Sequence, residues 1–142
     1  MNIRRPAERA LSQDILRLAR IYRREVDKAL APHSLTEARA LPLLLIARMG
    51  EGVRQGALAD ALGIEGPSLV QTLDQLCAVG LVERREDPDD RRARTLHLTD
   101  EGRAVTAAAE ATLDGFRDRL MSGVNDEELQ TCLRVLAHLG LR

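Results

Sequence analysis

Leu11, Ile15, Leu18, Tyr22, Val26 and Leu30 follow one another in steps of three and four residues, and Pro32 stops the run. That spacing stacks the apolar side chains on one face of a long helix over about 7–31. A strand cannot hold the pattern, because its successive side chains point to opposite faces. Tyr22 and Phe116 are the only aromatic residues, so the core must come from Leu, Ala, Val and Ile. Such a composition favours helices over a sandwich or barrel. It also argues against a module that stacks unpaired bases on aromatic rings.

The remaining elements follow from caps and breaks. A second helix, with Thr36 at its N-cap, runs to Met49 ahead of Gly50, with a kink expected at Pro42. Two short helices, about 54–62 and 67–79, flank the sequence GIEG, and Gly80 closes the second. Thr99 caps a fifth helix with Asp100 and Glu101 in its first turn and Val105, Ala109, Leu113, Phe116 and Leu120 as its stripe. Asn125 with Glu128 forms a capping box for the last helix, whose Leu129, Leu133, Leu136 and Leu139 lead to Gly140. The fold class is therefore mainly α with a minor β hairpin, and the 142 residues are expected to form one folding unit. The helices near the two chain ends carry more apolar stripe than one copy needs. A homodimer built from both is expected, the alternative being a monomer in which they cover the centre.

Composition narrows the function. The formal net charge is -1, so any nucleic-acid partner must be argued from where charges sit. The longest apolar run, LPLLLIA at 41–47, is too short for a bilayer, and MNIRRPAERA lacks the apolar stretch of a signal peptide. A cytoplasmic location is expected. His33, His97 and His138 are scattered, with no carboxylate pair or glycine-rich phosphate loop beside them, which argues against an enzyme. No metal cluster is legible, Cys77 and Cys132 lack ligand spacing, and no cofactor is expected.

The segment QGALADALGIEGPSLVQTLDQL, 55–76, has the layout of a helix-turn-helix. Ala59 is small where two helices must cross, Gly63 sits at the turn, and Leu58, Leu62 and Ile64 would seal the corner. On the second helix Leu69, Val70, Leu73, Leu76 and Cys77 share one side; Ser68, Gln71 and Gln75 share the other, with Thr72 at its edge. A short, polar, uncharged face suits base edges in a major groove, where Gln pairs with adenine and Ser or Thr with several bases. A hairpin follows, VERRE out and ARTLHL back, with five arginines and five acids between 82 and 94. The acids are expected to fix the turn and orient the guanidinium groups of Arg84, Arg91, Arg92 and Arg94 toward backbone or minor groove.

At LRLARIYRREVD, LADALGIEGPSLVQTLDQL and DDRRARTLHLTDEG the sequence resembles the MarR family of bacterial transcription regulators, and within it the SlyA-like branch. The resemblance implies a homodimer with two winged helix-turn-helix lobes (about 36–99) and dimerisation helices (about 7–31 and 100–140), binding a pseudo-palindromic duplex as a repressor. It implies that Asp90 orients the wing and that Arg91 and Arg92 form a tip reaching the minor groove. SlyA-like members have an arginine where this chain has Gln71, so the operator should differ, since Arg prefers guanine and Gln adenine.

The resemblance also implies a small aromatic carboxylate as effector, held between the dimer helices and the DNA-binding lobe. Arg20 and Arg23 match positions that pair with the carboxylate, and Ala40 and Leu44 stand where histidine and aromatic residues are expected on the second helix. Intersubunit ion pairs are the other role open to Arg20 and Arg23. Two further readings remain, a redox switch at Cys77 and a winged helix whose lobe surface binds protein.

Overall fold

The computed structural model describes residues 3–50 and 52–141. Helix α1 spans Arg4–Leu30 and ends in a single 3₁₀ turn, Ala31–His33, where Pro32 sits. α2 spans Glu37–Met49, β1 Val53–Arg54, α3 Gln55–Leu62 and α4 Gly66–Ala78. Strands β2 (Val82–Glu86) and β3 (Arg94–Leu98) lead to α5 (Asp100–Leu120) and α6 (Asp126–Leu136). The fold class is the expected one: mostly helical, with a helix-turn-helix in α3 and α4 and a small sheet as its wing.

α2 is the centre of the packing. Ala40, Pro42, Leu43, Leu44 and Ile46 are all buried, so the helix is apolar around most of its circumference and must be surrounded. α1 and α5 pack on one side, α3, α4 and β3 on another. The helix runs on through Pro42. Thr36 holds the N-cap position, but its side chain makes no capping bond. The Glu37 N–H instead donates to the Asp27 carboxylate of α1 at 2.8 Å. An acid from one helix thus caps the next and fixes the angle between them.

α1 divides in two. Val26 and Leu30 are buried, and Tyr22 meets Phe116 of α5 edge to face, with centroids 5.5 Å apart. Every residue from Ile3 to Ile21 is exposed, including Leu11, Ile15 and Leu18 of the predicted stripe. α6 buries no residue at all, although its capping box forms in full, Glu128 N–H to Asn125 at 2.8 Å and Asn125 N–H to Glu128 at 3.0 Å. Beyond Leu136 the expected continuation widens into a π-helical turn, Ala137–Leu141, broken at Gly140 with φ 99°.

The wing contains an unexpected strand. β1 pairs antiparallel with β3, Val53 facing Leu96 and Arg54 facing Thr95, to give the order β1-β3-β2. The hairpin joins the body at α5, where the Thr99 hydroxyl accepts from Gly102 N–H at 2.9 Å and donates to the Gly80 carbonyl at 2.6 Å. Gly102 is buried there, and a Cβ at this position would collide with the Leu81 carbonyl. Gly102→Ala should therefore lower stability by about 1–3 kcal/mol, the cost of overpacking a site that backbone cannot vacate. Denaturant midpoints at one fixed protein concentration will show it; an unchanged midpoint would mean that the α5–hairpin junction is slack.

Candidate nucleic-acid interface and effector cleft

The turn between α3 and α4 forms because Gly63 takes the left-handed conformation, φ 64°. Its N–H reaches back to Asp60, while Ile64 N–H bonds the Ala59 carbonyl at 3.3 Å. Leu58 and Ala59 are buried in the corner and Leu62 is half-buried, but Ile64 does not seal it, being 42% exposed. On α4 the core face is Leu69, Leu73 and Leu76. Val70, expected beside them, is 38% exposed. It lies toward the wing, and its carbonyl accepts from Arg84 at 3.4 Å.

Ser68, Gln71 and Gln75 are exposed along the outer face of α4, and Thr72 is half-buried at its edge, donating to the Ser68 carbonyl. Gln71 has no partner among the described residues. The Gln75 amide oxygen, by contrast, accepts from Arg39 Nε of α2 at 3.3 Å. Arg39 carried no signal in the sequence, because its partner lies 36 positions away.

Arg84 is engaged inside the molecule. Its guanidinium meets Asp74 of α4 at 2.6 Å, Gln55 of α3 at 3.3 Å and the Val70 carbonyl, from a half-buried position on β2. Three elements are held in one orientation by one planar group with its donors in a fixed fork. At the wing tip the acids fix the turn through backbone, as expected, but none of them holds the guanidinium of Arg91, Arg92 or Arg94. Asp90 accepts the Arg92 N–H at 2.9 Å and Asp87 the Asp89 N–H at 2.9 Å. Buried Asp87 also takes Arg54 Nε of β1 at 2.7 Å, which ties the tip to the third strand. The side chains of Arg91 and Arg92 are exposed without partners among the described residues. Arg94 rests on the carbonyls of Arg91 and Ala93.

A cleft of about 520 Å³ lies between α1, α2 and the helix-turn-helix. Leu41, Pro42, Leu62 and Ile64 give it apolar walls, Arg23 and Asp27 stand on the α1 side, and Ser68 and Thr72 of α4 close it. Arg20 is not in this cleft. It lines an open groove along α1 with Leu16, Arg24 and Lys28, which Arg23 also borders. Ala40 and Leu44 do not line the cleft either: they are 1% and 2% exposed, and border a gap of about 40 Å³ with room for little more than a water. Helix rotation explains the error, since the α2 face on the cleft is that of Ala38, Leu41 and Pro42. Glu37 Oε2 lies 3.7 Å from Arg23 Nε and has no hydrogen-bond partner among the described residues. Cys77 is half-buried, and burial pushes its thiol pKa up while Arg84 pulls it down, so the net shift is away from thiolate.

Residues 33–93 match the MarR family. Across solved structures, the chain is 34% identical to a transcriptional repressor, CouR, bound to a 23-mer DNA duplex, over 92% of this chain and 89% of that one, with a TM-score of 0.78. It is 31% identical to a MarR-family transcriptional regulator from Rhodococcus sp. RHA1, over 92% and 95%, with a TM-score of 0.77. To CouR from Rhodococcus jostii RHA1 bound to p-coumaroyl-CoA it is 26% identical, over 92% and 91%, with a TM-score of 0.80.

The Asp89 N–H and the Arg54 guanidinium hold the Asp87 carboxyl below its usual pKa. A lowered folded-state value stabilises the wing above the ordinary carboxylate range, and that stability disappears as pH falls through the folded value. Asp87→Asn should therefore be less stable than wild type at neutral pH, with the gap closing below about pH 3.9. Denaturant midpoints across pH 2–7 test this; a gap independent of pH would remove the charge from the account.

Proposed function

The chain belongs to the MarR family and is a DNA-binding transcription regulator, and on that premise we infer that it acts as a homodimeric repressor. The outer face of α4 beside partner-free arginines on an ordered turn is the observation that carries the interface. Ser68, Gln71, Thr72 and Gln75 face the major groove. Arg91 and Arg92 reach the minor groove from a tip that Asp90 shapes, and Arg94 contacts backbone. Arg84 positions α4 against the wing and meets phosphate only where Asp74 shares it. The two reading helices lie about one duplex turn apart, roughly 34 Å. Gln71 favours adenine within the half-site. The motifs LADALGIEGPSLVQTLDQL and DDRRARTLHLTDEG support the SlyA-like branch. The regulator works on DNA in the cytoplasm, with no catalytic role.

The second copy covers the exposed half of α1 and the face of α6, whose Leu129, Leu133 and Leu136 are half-buried within one chain. Contiguous apolar surface of that kind marks an interface. The chain is then one MarR-type domain in which 36–99 form the lobe and the end helices the dimer.

The effector is a small aromatic carboxylate or its acyl derivative, a class supported by the p-coumaroyl-CoA bound to CouR. Its ring lies between Leu41, Pro42, Leu62 and Ile64, and its anionic end displaces Glu37 from Arg23. Ser68 and Thr72 border both this cleft and the DNA face, so a ligand there moves α4 directly. It favours a lobe separation that no longer fits the duplex.

Fluorescence anisotropy against a pool of short duplexes at two salt concentrations tests the interface. Wild type should bind in a salt-sensitive way, and Arg92→Ala should bind more weakly with a flatter salt dependence. Equal binding by the two proteins would take the wing out of the interface. Calorimetric titration with salicylate-type acids tests the cleft: Arg23→Ala should lose both the heat and the ligand-driven release while keeping DNA affinity. Absence of heat and release in wild type would remove the effector.

A further inference from the structure

β1 is two residues long, yet its pairing sets Arg54 opposite Thr95 and so next to Arg94. Arg54, Arg92 and Arg94 converge on one cavity of about 470 Å³, whose far wall is Gln55, Gly56 and Ala57 at the start of α3. Each arginine keeps donors in reserve. Among the described residues, Arg54 commits Nε to Asp87, Arg94 commits Nη1 to two carbonyls, and Arg92 commits no side-chain nitrogen. Asp60 is the single acid among the lining residues, and with Asp87 it offsets two of the three positive charges. The first turn of α3 has no side-chain cap, which leaves its N–H groups without acceptors. Nothing lies within 4 Å of where a Cβ on Gly56 would stand, so a ligand can reach that backbone.

Guanidinium forks and backbone N–H groups around an open, positive cavity are the chemistry of phosphate recognition. We propose that the cavity seats one phosphodiester of the duplex backbone, with Arg54 and Arg94 as its ligands and Gly56 as the residue that permits close approach. The proposal rests on the DNA-binding reading and adds Arg54 and Gly56 to the interface. It also divides the wing: Arg91 serves the tip, Arg94 the flank, and Arg92 stands between them. Asp87 then has a second consequence, since the carboxylate that orders the tip also aims Arg54.

Gly56→Asp separates the seat from the fold. A carboxylate in the first turn of α3 favours the helix through its dipole and meets no obstruction, so the melting midpoint of the free protein should hold or rise. Binding to a duplex selected from a random pool should meanwhile fall by about tenfold or more. Ala61→Asp, exposed at the other end of α3, adds the same charge away from the seat and should weaken binding far less. Arg54→Ala should flatten the plot of log K against log salt by about one per half-site, and Arg54→Lys should restore the slope.

Replacing single phosphates by methylphosphonates locates the partner. One position per half-site should weaken wild type and have no further effect on Arg54→Ala. Equal losses in Gly56→Asp and Ala61→Asp, or no position coupled to Arg54, overturn the seat while leaving the DNA-binding reading intact. Stabilisation of the free protein by millimolar AMP through Arg54, with no coupled phosphodiester, would overturn it in favour of a free phosphate monoester. A wild-type chain that binds no duplex in the pool overturns the seat and the DNA-binding reading together.

Discussion

α2 is the constraint on which the other elements depend. A thirteen-residue helix with Ala40, Pro42, Leu43, Leu44 and Ile46 all buried gives to water little besides its last turn and the cleft-facing Ala38 and Leu41. It can exist only if other elements enclose it. α1 and α5 do so from one side, α3, α4 and β3 from another, and the enclosed helix becomes the joint between a lobe and a pair of end helices. Its first turn is also the least secured part of the joint. The cap there is borrowed from Asp27, and Glu37 leaves an oxygen without a hydrogen bond beside Arg23. A molecule arriving in the adjoining cleft would meet the joint where its polar groups are least committed.

Rigidity on the lobe side comes from charged groups used as struts. Arg84 binds three elements through one guanidinium, and Asp87 binds the tip to β1 and to its own turn. Ion pairs at a surface contribute little when both side chains are free to wander. Here a buried carboxylate and a half-buried guanidinium each accept or donate several bonds at once, so their worth lies in fixing orientation. The arginines left without partners then stand out from a turn that is already formed, and need not order it on arrival.

Much of the fold was legible because its signals are local. Thr99, the Asn125 and Glu128 pair, Gly63 and the leucines of α4 each specify structure within a few residues, and all behave as their spacing requires. What the sequence hid is what depends on distance. β1 is too short to leave a pattern and exists because β3 offers an edge. Ile64 and Val70 read as core by helical angle alone, but one borders the cleft and the other faces the wing. Ala40 and Leu44 lie inside the core and not on the cleft, because a helix apolar around most of its circumference gives little polar face from which to take a bearing. The candidate reading face was legible as a polar strip; its internal partner Arg39 was not.

That partner bears on discrimination. The Gln75 amide oxygen is occupied in the free protein, so in the proposed interface a base would have to displace Arg39 to use that oxygen. A matching base would exchange one bond for another and gain little, whereas a mismatched base would leave Gln75 with Arg39 and the contact unmade. Affinity at that position is traded for selectivity. In the proposed interface the side chain would then work as a threshold, turning outward only where the sequence outbids its neighbour.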